Sequence, residues 1–268
     1  MATEDNSSLT LVSRMAYGRL SSHHIPHFCV VLPSQQGHHK TMTARLAITS
    51  FDFETQPADS DALIAAWMPE IESAAATHVP DDRFLAFLTA ALRLGARSKS
   101  LKGFNMMEVV EKAGYSRSTF FRLFEGYTGF LFKGYQLTCL LSTKVYAMHL
   151  NEQQLTLDEF CKFTADVFYG ANCTIPHEIL QMLWREHDVT HQEFHPHVVG
   201  LAPVMRDYLA CNPDTQHLQI EVDELEGVLN NLDLVILNAR LEDNERWGTP
   251  FYYKKLRKML KGYFVTCE

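Results

Sequence analysis

Hydrophobic and polar positions between Asn105 and Phe124 follow the period of two short helices with a break between them. Met106, Val109, Val110 and Ala113 recur at helical spacing, giving the first helix one apolar stripe. Asn105 stands where its side chain caps the first amides, and Glu108 is three residues on, where a capping box places its carboxylate. Gly114 supplies the positive φ that ends a helix, and Ser116 occupies the cap position of the next. In that second helix Phe120 and Phe124 are four apart and face inward together. Ser118 and Arg122 then point away from them, with Thr119 and Phe121 on the flanks. Helix, glycine-containing turn and second helix form a helix-turn-helix pattern.

Helical periodicity extends over most of the chain, which predicts an all-α fold. From Ser60 to Thr77 the apolar positions are Leu63, Ala66, Trp67 and Ile71, Asp61 supports the start, and Pro69 predicts a kink or a division. Pro80 to Asp82 begins a helix with Phe84, Phe87, Leu88, Ala91, Leu92 and Leu94 on its buried stripe. A long helix follows the second short one, with Phe130, Leu137, Leu141, Val145 and Met148 on a face. Further helices are expected at Thr156–Tyr169, Pro176–His187 and Val198–Ala210. Leu218, Val222, Leu225, Leu229, Leu232, Ile236 and Ala239 then hold a heptad register, widened by Val228 and Val235. Two readings of that stripe stay open, a dimer seam and a fully buried central helix. In the last helix Phe251, Leu256, Met259, Leu260 and Tyr263 are set against five lysines and arginines, which Glu221, Asp223, Glu224 and Glu226 are placed to neutralise. The two final helices are therefore expected to form a dimerisation bundle.

Residues 1–58 break this pattern. They hold five of the thirteen histidines and one short apolar run, Ile25 to Leu32, with no evident strand partner. A disordered extension is expected there, or a chain whose translation starts at Met42. The predicted organisation is a 1–58 extension, an additional helix over 59–79, a helix-turn-helix domain over 80–133 and a helical regulatory and dimerisation domain over 134–268.

A formal net charge of −8 opposes a nucleic-acid partner until it is counted locally. From Arg83 to Lys133 nine Lys and Arg face three Asp and Glu, a balance of +6 that leaves −14 elsewhere. A basic patch on an acidic body attracts DNA and disfavours wrong docking. Arg93, Arg97, Lys99 and Lys102 surround one helix end and read equally as phosphate contacts or as solvated cations. Six scattered cysteines without a CxxC pair, no signal-peptide pattern and no apolar run of about 20 residues predict a reducing, cytoplasmic location without a membrane partner.

The ungapped run VEKAGYSRSTFFRLFEGYTGFL, Val110 to Leu131, resembles the DNA-binding segment of the TetR family of bacterial regulators, whose usual form reads like AxxAGVSRGTLYRHFxSKEALL. Ala113, Gly114, Ser116, Arg117, Thr119, Arg122 and Phe124 carry the match, and upstream it extends over a helix beginning near Arg83, about 50 residues in all. Where the family pattern has Tyr, His and Lys, this chain has Phe121, Leu123 and Tyr127, of which only the Tyr127 hydroxyl donates a hydrogen bond. The resemblance implies a non-enzymatic, ligand-responsive repressor, associated with the nucleoid, that binds a palindromic operator as a homodimer. DNA contacts are then expected from Ser116, Arg117, Ser118, Thr119, Phe121, Arg122 and Tyr127. A protein of the same fold that has lost specific DNA binding and serves as a sensing or interaction module is the alternative.

A small-molecule effector would sit in the C-terminal body, where Phe160, Phe163, Phe168, Met182, Trp184 and Tyr208 are candidate lining residues. No cofactor is expected. His187, His191 and His195 share a face if helical, and His187 to His191 resembles a zinc-protease HExxH with Asp in place of Glu. The shorter carboxylate and the missing third ligand favour a solvated histidine-rich connection over a metal site.

Overall fold

Asp59, in extended backbone, turns its carboxylate back to accept hydrogen bonds from the amides of Asp61 and Ala62, and so opens the first long helix. The computed structural model describes residues 46–79, 81–95, 105–175, 180–181, 196–242 and 245–266. All of them belong to a single unit spanning Lys40–Glu268. A 3-10 turn at Ala47–Ser50 precedes α1 (Ser60–His78), α2 (Asp82–Gly95), α3 (Met106–Ala113), α4 (Arg117–Phe124), α5 (Tyr127–Asn151), α6 (Leu157–Cys173), α7 (Pro196–Cys211), α8 (Val222–Glu242) and α9 (Pro250–Thr266). The described residues form an all-α protein without strands.

Two main hydrophobic cores divide these helices, beside a small cluster of Leu180 and Leu237. The larger gathers α1, α5, α6, α7, α8 and α9 around Trp67, Ile71, Tyr146, Phe160, Leu225, Leu229, Tyr253 and Leu260. Within it α5 packs along α1 and α7, while α6 lies against α9 and the 3-10 turn. The smaller joins α2, α3, α4 and the start of α5 through Phe87, Val109, Val110, Phe120, Phe124, Phe130 and Leu131. Helix α5 enters both cores, since Phe130 and Leu131 serve the small one and Leu141, Val145 and Tyr146 the large one. A domain boundary at 133 therefore falls inside one continuous helix.

Several sequence expectations are corrected. The extension drawn over 1–58 ends earlier, because Leu46, Ile48 and Phe53 are fully or almost fully buried in the large core. Ile48 reaches α6 at Gly170, where an added Cβ would come within 2.7 Å of its side chain. Helix α1 is one continuous helix through Pro69, so the proline does not divide it. Proline removes the amide that would bond the Ala65 carbonyl, but Ala65 is exposed, so water can satisfy that carbonyl.

The heptad stripe begins outside its helix. Leu218 precedes α8, and Leu225, Leu229, Leu232, Ile236 and Ala239 are all buried in the protomer's own core. The buried stripe of α9 is Tyr252, Tyr253, Leu256, Leu260 and Phe264, with Phe251 turned out at 55% exposure. Because α9 lies along α6, Arg257 and Lys261 pair with Asp158 at 3.0 and 2.7 Å, and Arg257 also with Glu54, in place of the acidic start of α8. Most of the apolar seam residues expected to form a dimer bundle are thus packed within one chain, while Val222, Val228, Val235, Met259 and Tyr263 are half-buried.

Candidate nucleic-acid interface

The local signals around Gly114 produce the expected geometry. The Asn105 side chain accepts from the Met107 amide at 2.9 Å, Gly114 adopts φ 72°, and Ser116 Oγ accepts from the Thr119 amide at 3.2 Å. Asn105 thus caps α3 through the Met107 amide without forming the expected box with Glu108, while a complete reciprocal capping box stands at Thr156 and Glu159. The second short helix, α4, spans Arg117–Phe124. Phe120 and Phe124 point into the small core with ring centroids 5.0 Å apart, and Phe87 and Phe130 enclose them. Burying each ring stabilises the unit by roughly 1.5–3 kcal/mol, which fixes the rotation of α4.

That rotation decides what faces outward. Arg117, Ser118, Phe121 and Arg122 are exposed, Thr119 is half-buried, and Ser116 closes the helix start. Ser116 Oγ lies 2.8 Å from Ser118 Oγ and 3.0 Å from Thr119 Oγ1, so three hydroxyls cluster over the first amides of α4. The Arg117 guanidinium sits over the Phe121 ring, 5.4 Å from its centroid. Tyr127 is half-buried against the small core, and burial raises the pKa of its phenol, so it stays a hydroxyl donor at neutral pH.

Two backbone features close the far end of α4. Glu125 is left-handed, φ 60°, and its amide donates to the Phe121 carbonyl at 2.8 Å. Gly126 follows at φ 134°, a region that excludes side chains, and turns the chain into α5. Lys133 then donates to the Leu123 carbonyl at 3.0 Å, tying α5 back to the end of α4.

The basic count is thinner in three dimensions than along the chain. Arg83 is held by Asp81 at 2.7 Å, and Arg93 by Glu72 of α1 at 2.9 Å, so neither is a free cation. Arg83 keeps the Asp81 carboxyl at a pKa of about 2 through its side-chain hydrogen bond. Lys112, Arg117 and Arg122 remain exposed with no carboxylate at ion-pair distance among the described residues. Arg97, Lys99 and Lys102 lie outside the described residues. The acidic partner Glu72 was invisible to local counting because it comes from a different helix.

The expected effector residues that are described, Phe160, Phe163, Phe168 and Tyr208, are buried in the large core. Phe160 stacks on Tyr208 at 5.7 Å and meets Phe264 edge-on, Phe163 packs on Tyr146, and Phe168 is buried in the same core. The Tyr208 hydroxyl accepts from the Leu155 amide and donates to the Gln153 carbonyl, which bolts α7 to the α5–α6 connection. Met182 and Trp184, like His187, His191 and His195, lie outside the described residues. Among the described residues no cluster of His, Cys, Asp and Glu is arranged for a metal, and no helix is long and apolar enough to cross a membrane.

An amphipathic short helix with hydroxyl, guanidinium and one aromatic group outward, anchored inward by phenylalanine, has the chemistry to engage a polyanion with hydrogen-bonding edges. Comparison of the chain with protein-family models, curated proteins and solved structures gave no match.

Proposed function

We propose that the chain is a TetR-like DNA-binding transcriptional regulator with α3, the Gly114 turn and α4 as its helix-turn-helix. The outward face of α4 carries this reading. Arg117, Ser118 and Arg122 project from a helix whose opposite side is locked by Phe120 and Phe124, so the donors are held ready before DNA arrives. Arg117 and Arg122 supply guanidinium forks for guanine edges or phosphates, and Ser116, Ser118 and Thr119 supply hydroxyls at the helix start, where an anion is favoured. Tyr127 offers its hydroxyl to a phosphate.

A homodimer reading a roughly palindromic operator completes the proposal. The outer side of α8 supports it. From Gly227 to Leu241 its exposed and half-exposed positions include Gly227, Asn231, Leu234 and Asn238, spaced 4, 3 and 4, with no charge among them. Leu234 is 44% exposed there. An uncharged strip of this length on a chain with 21% charged residues suits a second copy of itself. Helix α5, which enters both cores, is the element through which an apolar effector in the body would shift the spacing of the two α4 helices and release the operator. Repression is the proposed outcome.

The competing reading is a sensing or interaction module of the same fold without specific DNA binding. Phe121 and Leu123, which donate nothing, and the half-buried Tyr127 favour it. An electrophoretic shift with the full chain and Arg122→Ala as control separates the two. The regulator gives a salt-sensitive shift that the variant weakens; the module gives none.

A further inference from the structure

We infer that Phe121 is a specificity-determining residue that reads the 5-methyl group of thymine in the major groove. The inference rests on the DNA-binding reading above and deepens it, from a generic operator to one with a thymine at a defined place in each half-site.

Phe121 is 40% exposed on the face of α4 that otherwise presents Arg117, Ser118 and Arg122. Its ring is nonetheless held. Phe120, fully buried, meets it edge-on at 5.9 Å and 79°, and Arg117 covers it at 5.4 Å. The ring is thus ordered before any ligand binds, so little side-chain entropy remains to be lost on contact. It has no hydrogen-bonding atom, so it can serve neither phosphates nor the polar edges of bases. Among the groups the major groove displays, the thymine methyl is the one apolar feature. The minor groove, about 6 Å wide, does not admit an α-helix, so an apolar wedge there is not the geometry on offer. A rigid ring flanked by donors therefore matches a methyl flanked by acceptors. Stacking on Phe121 also aims the Arg117 fork at the same stretch of groove, where a neighbouring guanine edge would accept it.

Replacing thymine by uracil isolates the claim, since the two differ only in that methyl and pair identically. Duplexes are selected by the full chain from a random-sequence thymine pool, and the enriched sites are then prepared with deoxyuridine in place of thymidine. The uracil form is expected to bind about fourfold more weakly for each half-site, the loss of one buried methyl. Phe121→Ala should weaken the thymine form by a similar factor and make the two forms equal, with the helical circular-dichroism spectrum retained because the fully buried core of the unit, Phe87, Phe120 and Phe124, is untouched. Phe121→Leu, still apolar, should keep a difference. Salt-sensitive binding by the native chain that is equal on thymine and uracil forms overturns the inference and leaves the DNA-binding reading standing. A difference that persists in Phe121→Ala assigns the methyl to another residue, and the ring to another partner such as a protein. Failure to enrich any sequence removes both the inference and the reading beneath it.

Discussion

Gly129, in the first turn of α5, lies directly against the backbone carbonyl of Phe124, the last residue of α4, and leaves no room for a Cβ. The end of α4 and the start of α5 therefore meet at backbone distance, and the Lys133 bond to the Leu123 carbonyl closes the same joint. A methyl there has to displace backbone, which cannot rotate away as a side chain can.

Gly129→Ala is expected to destabilise the protein by about 1–3 kcal/mol, the usual cost of overpacking. Gly134, one helical turn and a residue further on, has nothing within 4 Å of an added Cβ. Gly134→Ala should therefore stabilise, by about 0.5–1 kcal/mol, because alanine is the better helix former. Denaturant unfolding of the two variants checks the opposite signs.

Glu125 holds a left-handed conformation without being glycine. Such a residue costs roughly 1–2 kcal/mol, of which glycine's greater freedom in the unfolded chain returns part, so Glu125→Gly should stabilise by about 0.5–1 kcal/mol. It also removes a carboxylate three residues from Arg122. Thermal melting should rise, and DNA affinity at low salt should rise with it.

What was legible in the sequence was local. Asn105, Gly114 and Ser116 each act within three or four residues of themselves, and the structure places each in the role its type predicts. Phe120 and Phe124 are set by the helical period alone. What could not be read depends on partners distant in the chain. Glu72 claims Arg93, Asp158 claims Arg257 and Lys261, and Ile48 docks beside Gly170. The heptad of α8 was visible, but periodicity cannot say whether a seam faces the same chain or another, and here it faces the same chain. Pro69 does not divide its helix for a similar reason, since that helix is held by the burial of Trp67 and Ile71 around it.

Asp81 provides a pH test of the Arg83 pair. Its carboxyl is lowered from 3.8 to about 2 by the Arg83 side chain, so the pair's contribution is fully present above pH 3.8 and is lost as pH falls through about 2. Carboxyl chemical shifts followed by NMR should show this titration near 2, and Arg83→Met should return it toward 3.8.

The α8 outer strip makes an oligomerisation prediction. Leu234→Lys places a charge in the centre of an uncharged seam and should convert a dimer to a monomer in sedimentation equilibrium, without unfolding the chain, because Leu234 is exposed. Phe251→Ser, exposed on α9 instead, should leave the dimer intact.

The most direct test of DNA recognition by α4 is the salt dependence of operator binding, measured by fluorescence anisotropy on a selected site for the native chain, Arg117→Ala and Arg122→Ala. Each cation that neutralises a phosphate contributes about 0.9 to the slope of log affinity against log salt. A phosphate-contacting arginine should therefore lower that slope by about one per half-site when removed, and a base-contacting one should relax sequence preference while the slope holds. Salt-insensitive binding, or affinity and specificity that both variants leave unchanged, would contradict the assignment of α4 as the DNA-reading helix.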